Sequence, residues 1–288
     1  MATASPTVAR RALAKLLRRR REEAGKTAAQ AAEYAGMHAA TLSRVESATT
    51  RIQPGTAQAL MRYYGASEDE SAAVFELAHA ARQRGWWQKY KDIPAWLDAY
   101  IGLETDAETL RSYEVELIHG LLQTEDYAFA LAKAGIDAPS DDLARRHASL
   151  RMARQKRLID ADGPPLHLHA VMSEAALYRE VGGPQVMRDQ LHQLKERMAL
   201  PNVTCQILPF DSGAHASAAG AFAILTFPPS PPSGVAISDV VYVEYGLGAL
   251  YLEDSSDLHH YHQVFDDLSR RALDPEESVK LVERALSI

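Results

Sequence analysis

Glycine and proline divide the first 85 residues at intervals that leave room only for short helices. Leu13, Leu16 and Leu17 recur at i, i+3 and i+4, the spacing of one buried helical face, and Gly25 ends that helix. Thr27, with Gln30 three residues later, is a capping-box pattern that opens a second helix, and Gly36 interrupts it after two turns. A third short helix carries Leu42 and Val45 on one side. Pro54-Gly55 opens a fourth, with Ala57, Leu60 and Tyr64 inward and Gly65 at its end. Glu68, Asp69 and Glu70 suit the positive end of a helix macrodipole, and Val74, Leu77, Ala78 and Ala81 supply the buried stripe of a fifth helix. The spacing predicts a five-helix α domain over residues 1–84.

The pattern changes downstream. Residues 85–100 hold three Trp and two Tyr around Pro94 and are expected to be a boundary segment whose aromatics dock onto a second domain, since exposed indoles aggregate. A base-stacking platform is the other use of such residues, but the acidic surroundings downstream argue against it. Helices are expected through residue 160, with Thr124-Glu125-Asp126 as a capped start and Gly135 as a stop. Strands are expected at 166–171, 203–208, 221–227, 240–244 and 249–253. A helix bearing Val186, Leu191, Leu194 and Met198 falls between the first two strands, and two more, near 256–271 and 275–287, close the chain. The insert at 228–234, PPSPPSG, reads as a stiff loop. Helices followed by a run of strands predict an α+β domain over 101–288, with a helical segment and then a mixed sheet of about five strands with flanking helices.

Charge is unevenly spread. Residues 1–85 contain 13 Lys and Arg against 8 Asp and Glu, a net of +5, whereas the rest carries 18 against 30, a net of −12. Seven of the thirteen cations lie between Arg10 and Arg21. Such asymmetry suggests a nucleic-acid-binding end joined to a different task, although a solvated helix face gives the same charge count. The single cysteine, Cys205, excludes an internal disulfide framework and a multi-thiolate zinc site. The N-terminus lacks the apolar core of a secretory signal, and no apolar run reaches the ~18 residues of a membrane helix. A cytoplasmic protein is therefore expected.

The segment Thr27–Ala48, TAAQAAEYAGMHAATLSRVESA, has the layout of a helix-turn-helix. Ala32 is small where the second helix crosses, and Gly36 suits the turn. Leu42 and Val45 anchor the second helix from beneath, which leaves Ala39, Ala40, Ser43 and Arg44 to face a major groove. Arg44 suits bidentate reading of guanine N7 and O6, and Ala39, Ala40 and the Thr41 methyl suit thymine methyls. The amides near Thr27 and Ala28, with Arg51 and Gln53, are placed for phosphates. The run Arg18–Arg21 fits either a solvated face or backbone contacts.

Residues 8–80 resemble the Xre and phage-repressor family of five-helix DNA-binding domains, whose S-[RK]-[IV]-E-x-G ending is similar to SRVESA here. The resemblance implies that Glu46 pairs with Arg21 and sets the recognition helix rather than reading bases. It also implies a homodimer on two half-sites. His38, counted with the DNA-facing set, stands where that family has a capping Ser or Thr, and Ala48 stands where it has Gly.

Downstream, several phrases resemble a domain of unknown function found behind such helices in actinobacterial WhiJ-like, antitoxin-like regulators. They are Trp87, Tyr100–Glu104, Arg111–Glu114, Gly120–Ala128, Ser173–Leu177, Pro201–Thr204, Leu208–Phe210, Gly213–His215 and Val240–Glu244; Ile118-His119 departs from the usual Val-Pro. The resemblance implies that this domain senses a small protein encoded nearby or a small-molecule ligand. His167 and His169 share one strand face, which suits a metal, and His259, His260 and His262 sit close together, but no second cluster has defined ligand spacing, and no HExxH, nucleophile elbow or phosphate-cradling loop occurs. Catalytic residues, cofactors and metals are accordingly expected to be absent, with an enzyme domain the least favoured alternative. Cys205, on an expected core strand, reads as a small hydrophobe. The sequence leaves Glu174, Glu180 and Glu244 unplaced relative to one another. In the helix over 142–158, Arg151 and Arg154 belong either to a solvated face or to a docking stripe for an acidic partner.

Overall fold

The computed structural model describes residues 4–90, 92–135, 138–159, 164–217, 220–229 and 236–287. Residues 230–234 of the expected proline-rich loop lie outside the described residues. By its contacts the chain forms two compact units. The first comprises Met1–Lys89, Leu97–Asp106 and Phe227–Ser238; the second comprises Tyr90–Trp96, Ala107–Thr226 and Asp239–Ile288.

Five helices build most of the first unit: α1 (Pro6–Glu23), α2 (Ala28–Tyr34), α3 (Ala39–Glu46), α4 (Pro54–Tyr63) and α5 (Glu68–Ala80). Their local causes are the ones legible in the chain. Pro6 begins α1 behind Ser5, whose Oγ accepts from the Val8 amide, and Ser67 with Glu70 closes a capping box on α5. Leu13, Leu16, Leu17, Leu42, Val45, Leu60, Met61, Val74 and Leu77 meet in one core. Burying a leucine or valine side chain fully contributes ~1.5–3 kcal/mol, so this cluster, rather than helix propensity, holds such short elements together.

The aromatic segment is shared between the units. Trp87 is only 1% exposed, and its indole Nε1 donates to Asp98 Oδ1 at 2.7 Å. Trp86 meets it edge-on and donates to Thr105 Oγ1 at 3.2 Å. These partners lie on α6 (Ala95–Asp106), in the stretch that groups with the first unit. Trp86 and Trp87 thus dock onto α6, whose Thr105 lies in the stretch expected to begin the second domain, and the Trp96 carbonyl accepts from the Tyr251 hydroxyl. The covered Trp87 face is also closed to base stacking. Ser5 ties the start of α1 to the same helix, through Oγ to the Gly102 carbonyl and its amide to Asp106 Oδ2, both at 2.6 Å.

The second unit holds a six-stranded sheet in the order β3-β2-β1-β4-β5-β6. The strands are β1 (Thr109–Glu114), β2 (His167–Ser173), β3 (Val203–Leu208), β4 (Phe222–Thr226), β5 (Val240–Tyr245) and β6 (Gly248–Leu252). β1, β2 and β3 are parallel, and β4, β5 and β6 continue antiparallel. α7 (Glu125–Lys133) and α8 (Asp141–Ile159) connect β1 to β2; the short α9 (Ala175–Tyr178) and α10 (Pro184–Met198) connect β2 to β3. α11 (Ser255–Arg271) sets Val264, Phe265 and Leu268 against Tyr113, Val171, Ile224 and Val241 on one face. α12 (Pro275–Leu286) closes the β3 edge, where Ser278 Oγ accepts the Ile207 amide at 2.9 Å.

β1 corrects the sequence reading. Residues 109–114 lie within the stretch expected to be helical, yet they form a central strand. TLRSYE is short and half polar, and only pairing on both sides makes it a strand. The conspicuous phrases around it hold backbone in place. Asn202 Nδ2 donates to the carbonyls of Leu158 and Leu166, at 3.1 and 2.8 Å. Gln123 Nε2 donates to the Ile118 carbonyl at 2.7 Å, and Gln190 bridges the Leu122 carbonyl and the Thr124 amide. No helix among the described residues is long and apolar enough to cross a membrane.

One close approach is testable. A Cβ at Gly102 would fall 2.6 Å from the Thr7 Cβ and 3.1 Å from the Trp87 ring, too near for either to relax within a buried contact. Gly102→Ala should destabilise the protein by ~1–3 kcal/mol in denaturant titration, and Thr7→Gly should restore part of the loss; an unchanged midpoint would contradict this packing.

Candidate functional site

The helix-turn-helix is built from α2, the turn at Gly36 and α3. Thr27 Oγ1 accepts the Gln30 amide at 3.2 Å while Gln30 Oε1 accepts the Thr27 amide at 2.9 Å, so the capping box is closed. That closure has a functional consequence: the Thr27 N–H is spent on Gln30 and is not open to a phosphate. Gly36 takes φ +65°, and the Met37 amide reaches back to the Ala32 carbonyl at 2.9 Å. Ala31 and Ala32 are buried beneath the crossing.

On α3 the two faces separate cleanly. Leu42 and Val45 enter the core, whereas His38, Ala39, Ala40, Ser43 and Arg44 are exposed and Thr41 is half-buried. Arg44 Nη2 rests 3.4 Å from Thr41 Oγ1, its side chain otherwise extended into solvent. His38 makes no side-chain cap hydrogen bond, so the start of α3 lacks the stabilisation that a Ser or Thr supplies there. Past α3, Ile52 is buried and its neighbours Arg51 and Gln53 are exposed. Arg10 of α1 lies near them: burial first, then the charges of Arg51 and Arg11, lower its pKa from the usual arginine value. No periodicity connects Arg10 to Arg51, which lies 41 positions further along the chain.

Arg21 fastens α3 to α1. Its Nε and Nη2 each lie 2.8 Å from a Glu46 carboxylate oxygen, and its Nη1 donates to the Lys26 carbonyl at 3.0 Å. The side chains are only 12% and 6% exposed, so the pair is well shielded from water. The hydrogen bond to Glu46 raises the Arg21 pKa further.

The second unit places its candidates differently. Arg154 is buried, and Arg151 is half-buried with Nη1 donating to Gln123 Oε1 at 2.5 Å. Of the expected docking stripe, Arg154 is buried and therefore not presented to a partner, whereas Arg151 keeps part of its surface open. Both guanidiniums act on Glu114 and His119, and Glu244 acts on Glu114. Sequence reasoning named Glu244 but missed Glu114 and His119 as members of this cluster; the one trace was the departure at Ile118-His119. Elsewhere, His169 Nε2 lies 2.7 Å from Gln206 Oε1 and packs edge-on to Phe265, while His262 lies 3.7 Å from Asp239. Glu174 accepts the Phe210 amide at 2.8 Å. Burial pushes the Cys205 thiol up to about 12. Among the described residues no three His, Cys, Asp or Glu side chains group as metal ligands would.

Two substitutions test the mounting of α3. Ala48 takes φ +57°, with its amide on the Val45 carbonyl and the Thr49 amide on the Arg44 carbonyl, the arrangement in which glycine is unstrained. Ala48→Gly should stabilise the fold by ~1 kcal/mol, read as a higher thermal midpoint. Glu46→Ala should cost ~2–3 kcal/mol by stranding a largely buried guanidinium, with Glu46→Gln costing less; a loss below ~0.5 kcal/mol would contradict a shielded pair.

Comparison with known proteins gives two family matches. No curated protein and no solved structure matches the chain. Residues 12–74 match a family described as a helix-turn-helix domain, and residues 97–284 match a family described as a domain of unknown function (DUF5753). A helix-turn-helix domain binds DNA through its second helix. The second match spans more than half of the sequence, and the chain belongs to the DUF5753 family, with a helix-turn-helix domain at its N-terminal end.

Proposed function

We propose that this chain is a sequence-specific transcriptional regulator of the Xre type, in which α3 reads DNA and the α+β unit receives the controlling signal. The observation that carries the reading is the exposed polar face of α3, held by the Arg21–Glu46 pair beneath it. Arg44 reads a guanine through N7 and O6, and Ala39, Ala40 and the Thr41 methyl meet thymine methyls. His38 and Ser43 border that surface. The Ala28 amide, Arg51 and Gln53 take phosphates, with the Arg10 charge beside Arg51 strengthening the field. Two copies bind two half-sites about one DNA turn apart, the protein working in the cytoplasm.

For the α+β unit, the WhiJ-like and antitoxin-like resemblance favours control by a small protein encoded nearby. The second reading, a small-molecule receptor, is favoured by the inward-turned Arg151 and Arg154 and their ionisable neighbours. An enzyme fused to the DNA-binding domain is the third and least favoured reading.

Duplexes selected from a random pool by the wild-type protein should share a half-site motif. Arg44→Ala should lose ~1–3 kcal/mol on that motif and relax preference at one base pair. Arg51→Ala should weaken binding to all sequences alike and lower the salt slope by about one. Unchanged selectivity in Arg44→Ala would remove α3 as the reader.

A further inference from the structure

The second unit gathers hydrogen-bond donors at one end of its sheet, on the face away from α11. Residues alternate faces along a strand, so Ser112 and Glu114 of β1 share one face while Arg111 and Tyr113 take the other. Register carries that face across the sheet. Ser112 pairs with Ala170 on β2 and Ala223 on β4, Ala170 with Cys205 on β3, and Ala223 with Tyr242 on β5. The small side chains of Ala170, Cys205 and Ala223 thus lie in the row of Ser112, one step below Glu114, with Tyr242 at its far side. The strand order also reverses at β1, with β2 and β3 following on one side and β4 to β6 on the other, and open sheets hold ligands beyond the strand ends at such a reversal.

The chemistry there is one-sided. His119 Nδ1 accepts the Leu121 amide at 3.2 Å, and burial, then Arg154 and Arg151, push the imidazole down to about 3. The ring is therefore neutral with its proton on Nε2, a donor, 3.9 Å from Glu114 Oε1. Burial, then the Glu244 charge, lift the Glu114 carboxyl to about 8 against the opposing pull of Arg151 and Arg154, so at neutral pH it too carries a proton. Arg151 and Arg154 add two guanidiniums within reach of the position a Gly120 side chain would take. The Glu244 carboxylate, whose charge raises Glu114, accepts the Tyr242 hydroxyl at 2.8 Å. Ser112 completes the set: it is fully buried, and its Oγ has no hydrogen-bond partner among the described residues. A buried hydroxyl without a partner is costly, and the cost is recovered when an acceptor arrives.

We propose that this end of the sheet is a binding site for a small molecule bearing an oxyanion, a carboxylate or a phosphate, held by Ser112, Glu114, His119, Arg151 and Arg154. The inference rests on the signal-receiving role proposed for the α+β unit and gives that role a ligand chemistry. Guanidiniums supply the paired donors that planar or tetrahedral oxyanions select, and the Ser112 hydroxyl and the Glu114 proton complete the shell.

Thermal unfolding of the full chain tests it, with sodium acetate, sodium succinate and sodium phosphate each compared with sodium chloride at equal ionic strength. The wild type should gain about 2–4 °C in the matching anion. The carboxylate and phosphate arms separate the two chemistries. Ser112→Ala should be at least as stable as the wild type in chloride, because it removes an unpartnered buried hydroxyl, yet should lose most of the gain. Glu114→Gln should keep the gain, since the amide supplies the donor that the protonated acid supplied. A rise of the same size in Ser112→Ala and Arg151→Gln would be the general stabilisation that excluded salts give, and would overturn the site; so would no rise in any anion. Failure here in a protein that still selects its DNA motif would remove the site alone. A specific gain that leaves DNA affinity unaltered would keep the site and remove the signal-receiving role.

Discussion

The bidentate pair between Arg21 and Glu46 is the contact on which the functional surface depends. α3 has only eight residues, and helices that short do not persist in water on their own. Leu42 and Val45 give it a buried side, but apolar contacts fix position without fixing rotation well. The guanidinium, planar and held at both nitrogens, supplies the directional constraint. Its third bond, to the Lys26 carbonyl, ties the same side chain to the loop that leads into α2. One arginine therefore sets the relation among α1, α2 and α3, and holds the exposed side of α3 in the fixed orientation that the proposed reading role requires.

In the first unit the shielded Arg21–Glu46 pair is structural. In the second, a set of ionisable groups is drawn to the end of the sheet, where burial holds His119 neutral and keeps a proton on Glu114 near neutral pH. The unpartnered Ser112 hydroxyl beside these groups is what a receptor for an oxyanion would require.

Much of the first unit was legible because its causes are local. Capping residues, helix-breaking glycines and i, i+3, i+4 leucines act over a few positions, and α1 to α5 follow from them. The five expected strands were also legible, being apolar runs between turn signals. β1 was not, because TLRSYE owes its strand character to neighbours that come 50 or more residues later. The inward turn of Arg154 was hidden for the same reason: a helix with five arginines reads as a solvated face until the sheet end it packs over is known. Trp86 and Trp87 were recognised as docking residues, but the destination of their side chains depended on Asp98, Gly102 and Thr105 of α6, which no periodicity connects to them. Ala48 shows a different limit. Its left-handed backbone follows from the turn that must end α3, although alanine is not the residue a sequence reading would assign to that conformation.

The central claim is that α3 enters the major groove of DNA. Methylation interference tests it directly, because dimethyl sulfate marks guanine N7 in the major groove and adenine N3 in the minor groove. On a duplex selected by the full chain, methylation of a guanine in each half-site should block binding, with the two positions about one helical turn apart. Interference confined to adenine N3, or absent while binding remains specific, would contradict the account.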